Sequence, residues 1–108
     1  MVLYEYILNQ DGTILKYEYE VRETEKLYIS KKAIKYNFLH RIPKNLIDDG
    51  LVYENYRGLL TYSFENNEDM AKNKFIDHIK TEKIPTKEEK LKLIQTEIDV
   101  LKELINNL

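Results

Sequence analysis

The residues that could carry out chemistry in this chain are few and widely spaced. Cysteine is absent, serine occurs only at Ser30 and Ser63, and histidine occurs only at His40 and His78. Neither serine lies in the Gly-x-Ser-x-Gly setting of a nucleophile elbow. The absence of cysteine removes thiol nucleophiles, thiolate zinc sites and disulfides. We therefore expect no covalent catalysis.

Metal-assisted and acid–base chemistry are equally poorly supported. His78 and Glu82 stand four residues apart, on one face of a helix, but two ligands are too few for a zinc site. We interpret His78 as a surface or boundary histidine. Asp48 and Asp49 adjoin Gly50 in a loop, where neighbouring carboxylates are usually solvated, so they give no acid–base pair. The sequence predicts a non-enzymatic protein with no catalytic residues, no metal and no cofactor.

A concentration of positive charge lies in the middle of the chain. Residues 26–47 contain six basic and no acidic residues, whereas residues 1–25 contain six acidic and two basic ones. Cations bind phosphates and aromatic rings stack on bases, so the aromatic residues among these cations favour an anionic ligand with flat rings. Arg57, in the turn after Tyr56, can hold a phosphate through two hydrogen bonds. The candidate ligand-binding residues are Lys35, Tyr36, Arg41, Lys44, Tyr56 and Arg57.

A second interpretation of the basic segment stays open. In this interpretation its lysines form a solvated rim beside core aromatics, and His40 is a partly exposed loop residue. Duplex DNA fits the charge pattern poorly, because the acidic flanks would repel its backbone.

The elements that must position these residues follow from hydrophobic periodicity. Residues 2–8 and 13–21 alternate with a period of 2 around an Asp11-Gly12 turn, which predicts a β-hairpin. In the second strand, Leu15, Tyr17, Tyr19 and Val21 form the expected apolar face. Residues 26–30 predict a third strand, and residues 59–64 a final one. The basic segment 31–58 keeps neither period, and we expect irregular structure with short strands near Arg41 and residues 51–54.

Helices are expected after the sheet. Asn66 or Asn67 can cap a helix over residues 67–82, and Pro85 is expected to end it. Thr86 and Glu89 fit a capping box that opens an amphipathic helix over residues 86–108. Its apolar residues step by three and four in a heptad pattern, which predicts an oligomer interface. The interface candidates are Leu91, Ile94, Ile98, Leu101 and Ile105. Packing of this stripe on the protein's own sheet is the alternative.

Length and composition set the class. At 108 residues, 43% hydrophobic and 33% charged, the chain is expected to form a single α+β domain over residues 1–108, with an antiparallel sheet in residues 1–64 followed by two helices. No apolar run reaches the length of a membrane span and the start does not resemble a signal peptide. We therefore expect a cytoplasmic protein without a membrane partner, acting as a homo-oligomer, either a dimer or a multiple of dimers.

The order of elements resembles that of small phage accessory proteins. It combines an N-terminal meander (YEYILNQDGTILKYEYEV), a Lys-Leu-Tyr-Ile strand, a strand entering a helix (LLTYSFENNEDMAKNKF) and a heptad-like terminal helix (EEKLKLIQTEIDVLKELI). In layout the chain is similar to the anti-Thoeris sponge proteins. The resemblance implies sequestration of a cyclic nucleotide immune signal in the host cytoplasm. The alternatives are a protein-binding inhibitor of a host defence enzyme and an assembly protein that oligomerises through its terminal helix.

Overall fold

A computed structural model describes residues 1–32, 40–48 and 50–108. The chain divides into two compact units, Met1–Phe75 and Ile76–Leu108. Every residue of the second unit is described and none is buried. The hydrophobic core of the described chain therefore belongs to the first unit.

The first unit is built on a six-stranded antiparallel sheet with the strand order β4-β3-β2-β1-β6-β5. The α+β prediction is confirmed, because this sheet precedes the helices that follow residue 67. The strands are β1 (Val2–Leu8), β2 (Ile14–Glu23), β3 (Leu27–Ser30), β4 (Arg41–Pro43), β5 (Tyr53–Asn55) and β6 (Gly58–Ser63). A short helix, α1 (Asn45–Asp48), joins β4 to the second half of the sheet.

Strand β1 lies inside the sheet and is buried on both faces. Leu3 and Ile7 point to one face and Tyr6 to the other, and all three are essentially inaccessible to solvent. Strands β2 and β6 pair with β1 on either side, so that Glu5 lies opposite Tyr17 on β2 and Tyr62 on β6. Residues near Glu5 are thus drawn from segments far apart in sequence.

A large cluster of buried hydrophobic residues lies on the Leu3 side of the sheet. Residues in direct register share a face, and this face collects apolar side chains from all six strands and from α1. Removing these side chains from water is the main contribution to folding. The buried members are Leu3, Ile7, Val21, Tyr28, Ile42, Leu60 and Tyr62, with Tyr19, Leu46, Ile47 and Tyr53 packed against them.

The predicted apolar face of β2 is only partly buried. Val21 is 2% exposed, whereas Leu15 and Tyr17 are 41% and 43% exposed. Val21 lies opposite Ser30 of β3 and within the core cluster, while Leu15 and Tyr17 lie on the part of β2 that precedes the β3 pairing. Alternation fixes the direction of a side chain, but burial also needs a neighbour that covers it.

Helix α2 (Glu68–His78) begins where the sheet ends. Asn67 caps it, since its Oδ1 accepts a hydrogen bond from the backbone N–H of Met70 at 3.0 Å. The buried Tyr6 hydroxyl accepts from the Asn67 backbone N–H at 2.9 Å and donates to the Glu65 carbonyl at 2.8 Å. Ala71 and Phe75 are the buried residues of α2.

The helical backbone continues through Pro85, where the sequence predicts a break. A π-helical segment, Ile79–Lys83, follows α2 and leads into α3 (Ile84–Asn107). Proline has no N–H for the carbonyl of the preceding turn, and a π-turn is one way to accommodate that loss inside a helix. Thr86 Oγ1 donates to the Glu82 carbonyl at 2.6 Å and does not form the predicted capping box. Among the described residues, no helix has the length and apolarity needed to cross a membrane.

Candidate functional site

A carboxylate buried in the sheet is the centre of the candidate site. Glu5 is only 3% exposed, and a charge is rarely buried without partners. Two tyrosines, a histidine and an arginine surround it. We call this group the Glu5 cluster: Glu5, Tyr19, His40, Arg57 and Tyr62.

Both carboxylate oxygens of Glu5 have partners. Tyr19 Oη donates to Glu5 Oε1 at 3.1 Å, and Arg57 Nη1 lies 3.8 Å from the same oxygen. His40 Nε2 lies 3.7 Å from Oε2 and 3.5 Å from the Tyr62 hydroxyl. Tyr62 lies opposite Glu5 in the sheet, and its hydroxyl helps to lower the pKa of the carboxyl. This set of donors explains how the carboxylate is tolerated inside the protein.

Strand register and one loop contact bring the cluster together. Tyr62 lies directly opposite Glu5, and Tyr19 lies two residues beyond Tyr17, the β2 partner of Glu5. His40 immediately precedes β4, and its backbone N–H donates to Ser30 Oγ at 2.8 Å. The ring centroids of His40 and Tyr19 are 5.0 Å apart. The imidazole is therefore held at the edge of the cluster.

Arg57 reaches Glu5 because its turn lies against β1. Gly58 has a φ of +131°, and a Cβ at this position would lie 2.4 Å from the carbonyl oxygen of Leu8. Only glycine fits this conformation and this approach. Asn55 Oδ1 accepts from the Arg57 backbone N–H at 2.9 Å and fixes the turn further.

The electrostatics of the cluster keep the carboxyl ionised and the phenols protonated. Burial opposes ionisation of Glu5, but hydrogen bonds from His40, Tyr62 and Tyr19 outweigh it, so its pKa lies below the ordinary value. Burial and the neighbouring carboxylate raise the pKa of Tyr19 and of Tyr62 far above that of a free phenol. Glu5 therefore acts as a fixed anion, and the two hydroxyls act as donors to it.

The structure brings two of the predicted ligand residues together. Tyr56 and Arg57 share the β5–β6 turn, with the guanidinium carbon 5.9 Å from the Tyr56 ring centroid. The Tyr56 side chain is 93% exposed, and that of Arg57 is 48% exposed. Together they present a ring and a cation to solvent beside the Glu5 cluster.

The other predicted ligand residues are placed differently. Arg41 is exposed and lies opposite Ile29, whereas its neighbour Ile42 points into the core, so Arg41 projects from the other face of the sheet. Lys44 donates to Glu23 and lies 5.3 Å from the Tyr28 ring centroid. Lys35 and Tyr36 lie outside the described residues.

Acidic residues of β2 also pair with the basic segment. Lys31 lies 3.5 Å from Glu20, which also binds the N-terminal ammonium, and Lys44 is bound by Glu23. A charge count along the sequence therefore overstates the positive potential of this surface. Of the predicted ligand residues, Lys44 is partly neutralised in this way by Glu23.

Four members of the Glu5 cluster were missed by the sequence prediction. A signal was present, because Glu5 shares its strand face with Leu3 and Ile7, and an acid on an apolar face needs a partner. Nothing in the sequence indicates which partners it has. Tyr19 was predicted to lie on the apolar face of its strand, and His40 in a loop.

The predicted interface residues lie on α3. Leu91, Ile94, Ile98, Leu101 and Ile105 are all exposed in the chain, at 39% to 70%.

His78 Nδ1 lies 3.6 Å from Glu82 Oε2. Across the described residues, no group of three or more acidic or histidine side chains could hold a metal ion.

Comparison with known proteins places the chain in no family. No protein-family model matches it, and neither a curated protein nor a solved structure matches it significantly.

Proposed function

We propose that this chain is a non-catalytic binding protein that captures a small anionic ligand carrying flat rings. The observation that supports this proposal is the pairing of an exposed ring, Tyr56, with an arginine whose Nη1 lies 3.8 Å from the Glu5 carboxylate. The proposed ligand class is cyclic nucleotides, and the proposed role is sequestration of a host immune signal by a phage-encoded protein in the host cytoplasm.

Preorganisation is the first argument for this site. The Arg57 guanidinium carbon lies 5.9 Å from the Tyr56 ring centroid, and Arg57 Nη1 lies 3.8 Å from the Glu5 carboxylate. An arginine that is already oriented loses less conformational freedom when it binds a phosphate. Its five N–H donors exceed the needs of one long ion pair, so donors remain for phosphate oxygens.

The charges around Arg57 indicate that stacking on Tyr56 has to contribute to ligand binding. The negative charge of Glu5 offsets part of the positive charge of Arg57. Phosphate binding by Arg57 therefore has to come largely from directed hydrogen bonds, and the ligand's ring has to contribute by stacking on Tyr56. Both residues should matter for affinity to a similar degree.

Thermal melting in the presence of ligands tests the proposal. The panel is cyclic dinucleotides, cyclic trinucleotides and cyclic ADP-ribose isomers. A ligand that binds only the folded state at one hundred times its dissociation constant stabilises it by about 2.7 kcal/mol. We expect at least one member of the panel to raise the melting temperature by several degrees.

Three variants test whether this shift in melting temperature arises from binding at Tyr56 and Arg57. Tyr56→Ala should remove most of it without changing the ligand-free melt, because this side chain is almost fully exposed. Arg57→Lys keeps the charge but loses the planar fork, and should weaken the shift. Arg22→Ala, an exposed arginine on β2, is the matched control and should behave as wild type. A shift that survives Tyr56→Ala and Arg57→Lys, or no shift with any ligand, would overturn the proposed site.

Self-association through α3 is the second part of the proposal. The interface would be formed by Leu91, Ile94, Ile98, Leu101 and Ile105 in a homodimer or a multiple of dimers. The exposed apolar stripe also supports a second candidate function, an assembly protein whose active element is α3. A monomeric mass in light scattering would count against both.

A further inference from the structure

The apolar stripe of α3 needs a partner, and its residue types indicate which one. All residues of α3 are exposed in the chain, including nine large hydrophobic ones. We propose that the stripe pairs with α3 of a second copy in a parallel, in-register, two-stranded coiled coil. This inference rests on the proposed self-association and adds its geometry.

The core positions favour two parallel strands. With Leu91 at heptad position a, the following a positions are Ile98 and Ile105, and the d positions are Ile94, Leu101 and Leu108. Isoleucine at a with leucine at d favours parallel dimers, because the branched side chain fits the packing at a. Two of the three successive a/d pairs follow this rule. In the first pair, Leu91 and Ile94, the two residue types are exchanged.

The charges beside the stripe distinguish parallel from antiparallel pairing. In a parallel dimer a g residue faces the e residue of the next heptad on the partner helix. Glu97 at g then meets Lys102 at e of the second copy, and symmetry makes two such ion pairs. In the antiparallel alignment that also superposes the apolar layers, Glu97 instead meets Leu104 and Lys102 meets Gln95. Charge complementarity therefore selects the parallel arrangement.

Cysteine cross-linking is a direct test, since the natural chain contains no cysteine. In a parallel dimer, two copies of Ile94→Cys face each other at a d position. Their Cα atoms then lie close enough for a disulfide, which needs a Cα separation of about 4.4–6.8 Å. In the antiparallel alignment the same residues lie roughly 16 Å apart along the helix axis. Glu103→Cys, at the outward f position, is the matched control.

We expect Ile94→Cys to form a covalent dimer on mild oxidation and Glu103→Cys to remain largely monomeric on a non-reducing gel. Equal cross-linking of both variants, or none in Ile94→Cys while light scattering still gives a dimer, would overturn the parallel arrangement and leave self-association intact. A monomeric wild-type protein would overturn both. The cross-linking results do not affect the ligand-induced shift in melting temperature. The melting experiment therefore tests ligand capture independently of dimer geometry.

Two further variants measure the interactions by sedimentation. Ile98→Asp places an unpaired charge from each copy in the seam and should weaken dimerisation by roughly a hundredfold or more. Glu97→Lys creates two like-charge contacts and should weaken it by about fivefold, and adding Lys102→Glu should restore it. Circular dichroism verifies that the sheet unit of each variant is folded. A double variant no tighter than Glu97→Lys alone would contradict the assigned ion pairs.

Discussion

Replacement of Glu5 by glutamine tests whether the buried carboxylate stabilises the fold. Glu5→Gln keeps the size and shape of the side chain but removes the charge that Tyr19, Tyr62, His40 and Arg57 surround. The amide also introduces N–H donors among groups that already donate. We expect the variant to fold and to be less stable than wild type at neutral pH.

The magnitude follows from the contacts. A hydrogen bond to a charged group contributes about 1.5–3 kcal/mol and one to a neutral group about 0.5–1.5 kcal/mol, so each tyrosine contact loses roughly 1 kcal/mol. The contacts of the carboxylate with His40 and the half-exposed Arg57 are long, at 3.7 and 3.8 Å, and add less than about 1 kcal/mol. Relief of the desolvation cost acts in the opposite direction. The net loss should be about 2 kcal/mol, or a melting temperature lower by roughly 10 °C.

The pH dependence provides an independent check. Because the folded-state pKa of Glu5 lies below its ordinary value of 4.5, its charge stabilises the protein above that pH. This contribution is lost as the pH falls through the folded-state pKa. Glutamine does not titrate, so the difference in stability between wild type and Glu5→Gln should shrink as the pH falls below about 4.5.

Urea denaturation of both proteins at several pH values measures the difference directly. Glu18→Gln, an exposed acid on β2, is the matched control and should change stability by less than about 0.5 kcal/mol. A Glu5→Gln protein as stable as wild type at neutral pH would show that the cost of burying the carboxylate exceeds its interactions. A difference that does not change in acid would show that its charge is not the cause.

Two further substitutions test how the site is positioned. Gly58→Ala should cost about 2–3 kcal/mol in the free energy of unfolding, because its Cβ would meet the Leu8 carbonyl in a strained conformation, and a urea titration measures this; stability within about 0.5 kcal/mol of wild type would contradict the close approach. Tyr6→Phe leaves the Glu65 carbonyl and the Asn67 N–H without their hydroxyl partner, and should cost about 1–3 kcal/mol and increase amide hydrogen exchange at the start of α2; unchanged exchange would refute the proposed role of the hydroxyl.

Local patterns in the sequence were sufficient to predict most elements of the sheet. The alternation in residues 2–8 and the Asp11-Gly12 turn predict the first hairpin, and the observed β1 spans Val2–Leu8. Short strands were expected near Arg41 and residues 51–54, and strands occur at Arg41–Pro43 and Tyr53–Asn55. These features depend on neighbours in sequence, which is why they can be read from it. The continuation of the helix through Pro85 depends on a π-turn, which periodicity does not reveal.

The candidate site was predicted only in part. Arg57 and Tyr56 were identified because an arginine beside an aromatic residue in a turn has a recognisable chemistry. Lys44 was identified from the same charge pattern, yet it is bound to Glu23, which lies on another strand. A count of charges along the chain contains no information about which acids face which bases.

The sequence by itself determined most of the strands and the apolar stripe of α3, because each follows from the periodicity of nearby side chains. Only the tertiary structure decided that Glu5 is buried and that Tyr19, His40, Arg57 and Tyr62 surround it. Strand register and the close approach of the Gly58 turn to Leu8 join these residues across the sheet. The reason is physical: contacts between distant segments depend on how strands pair, and pairing is a property of the whole fold.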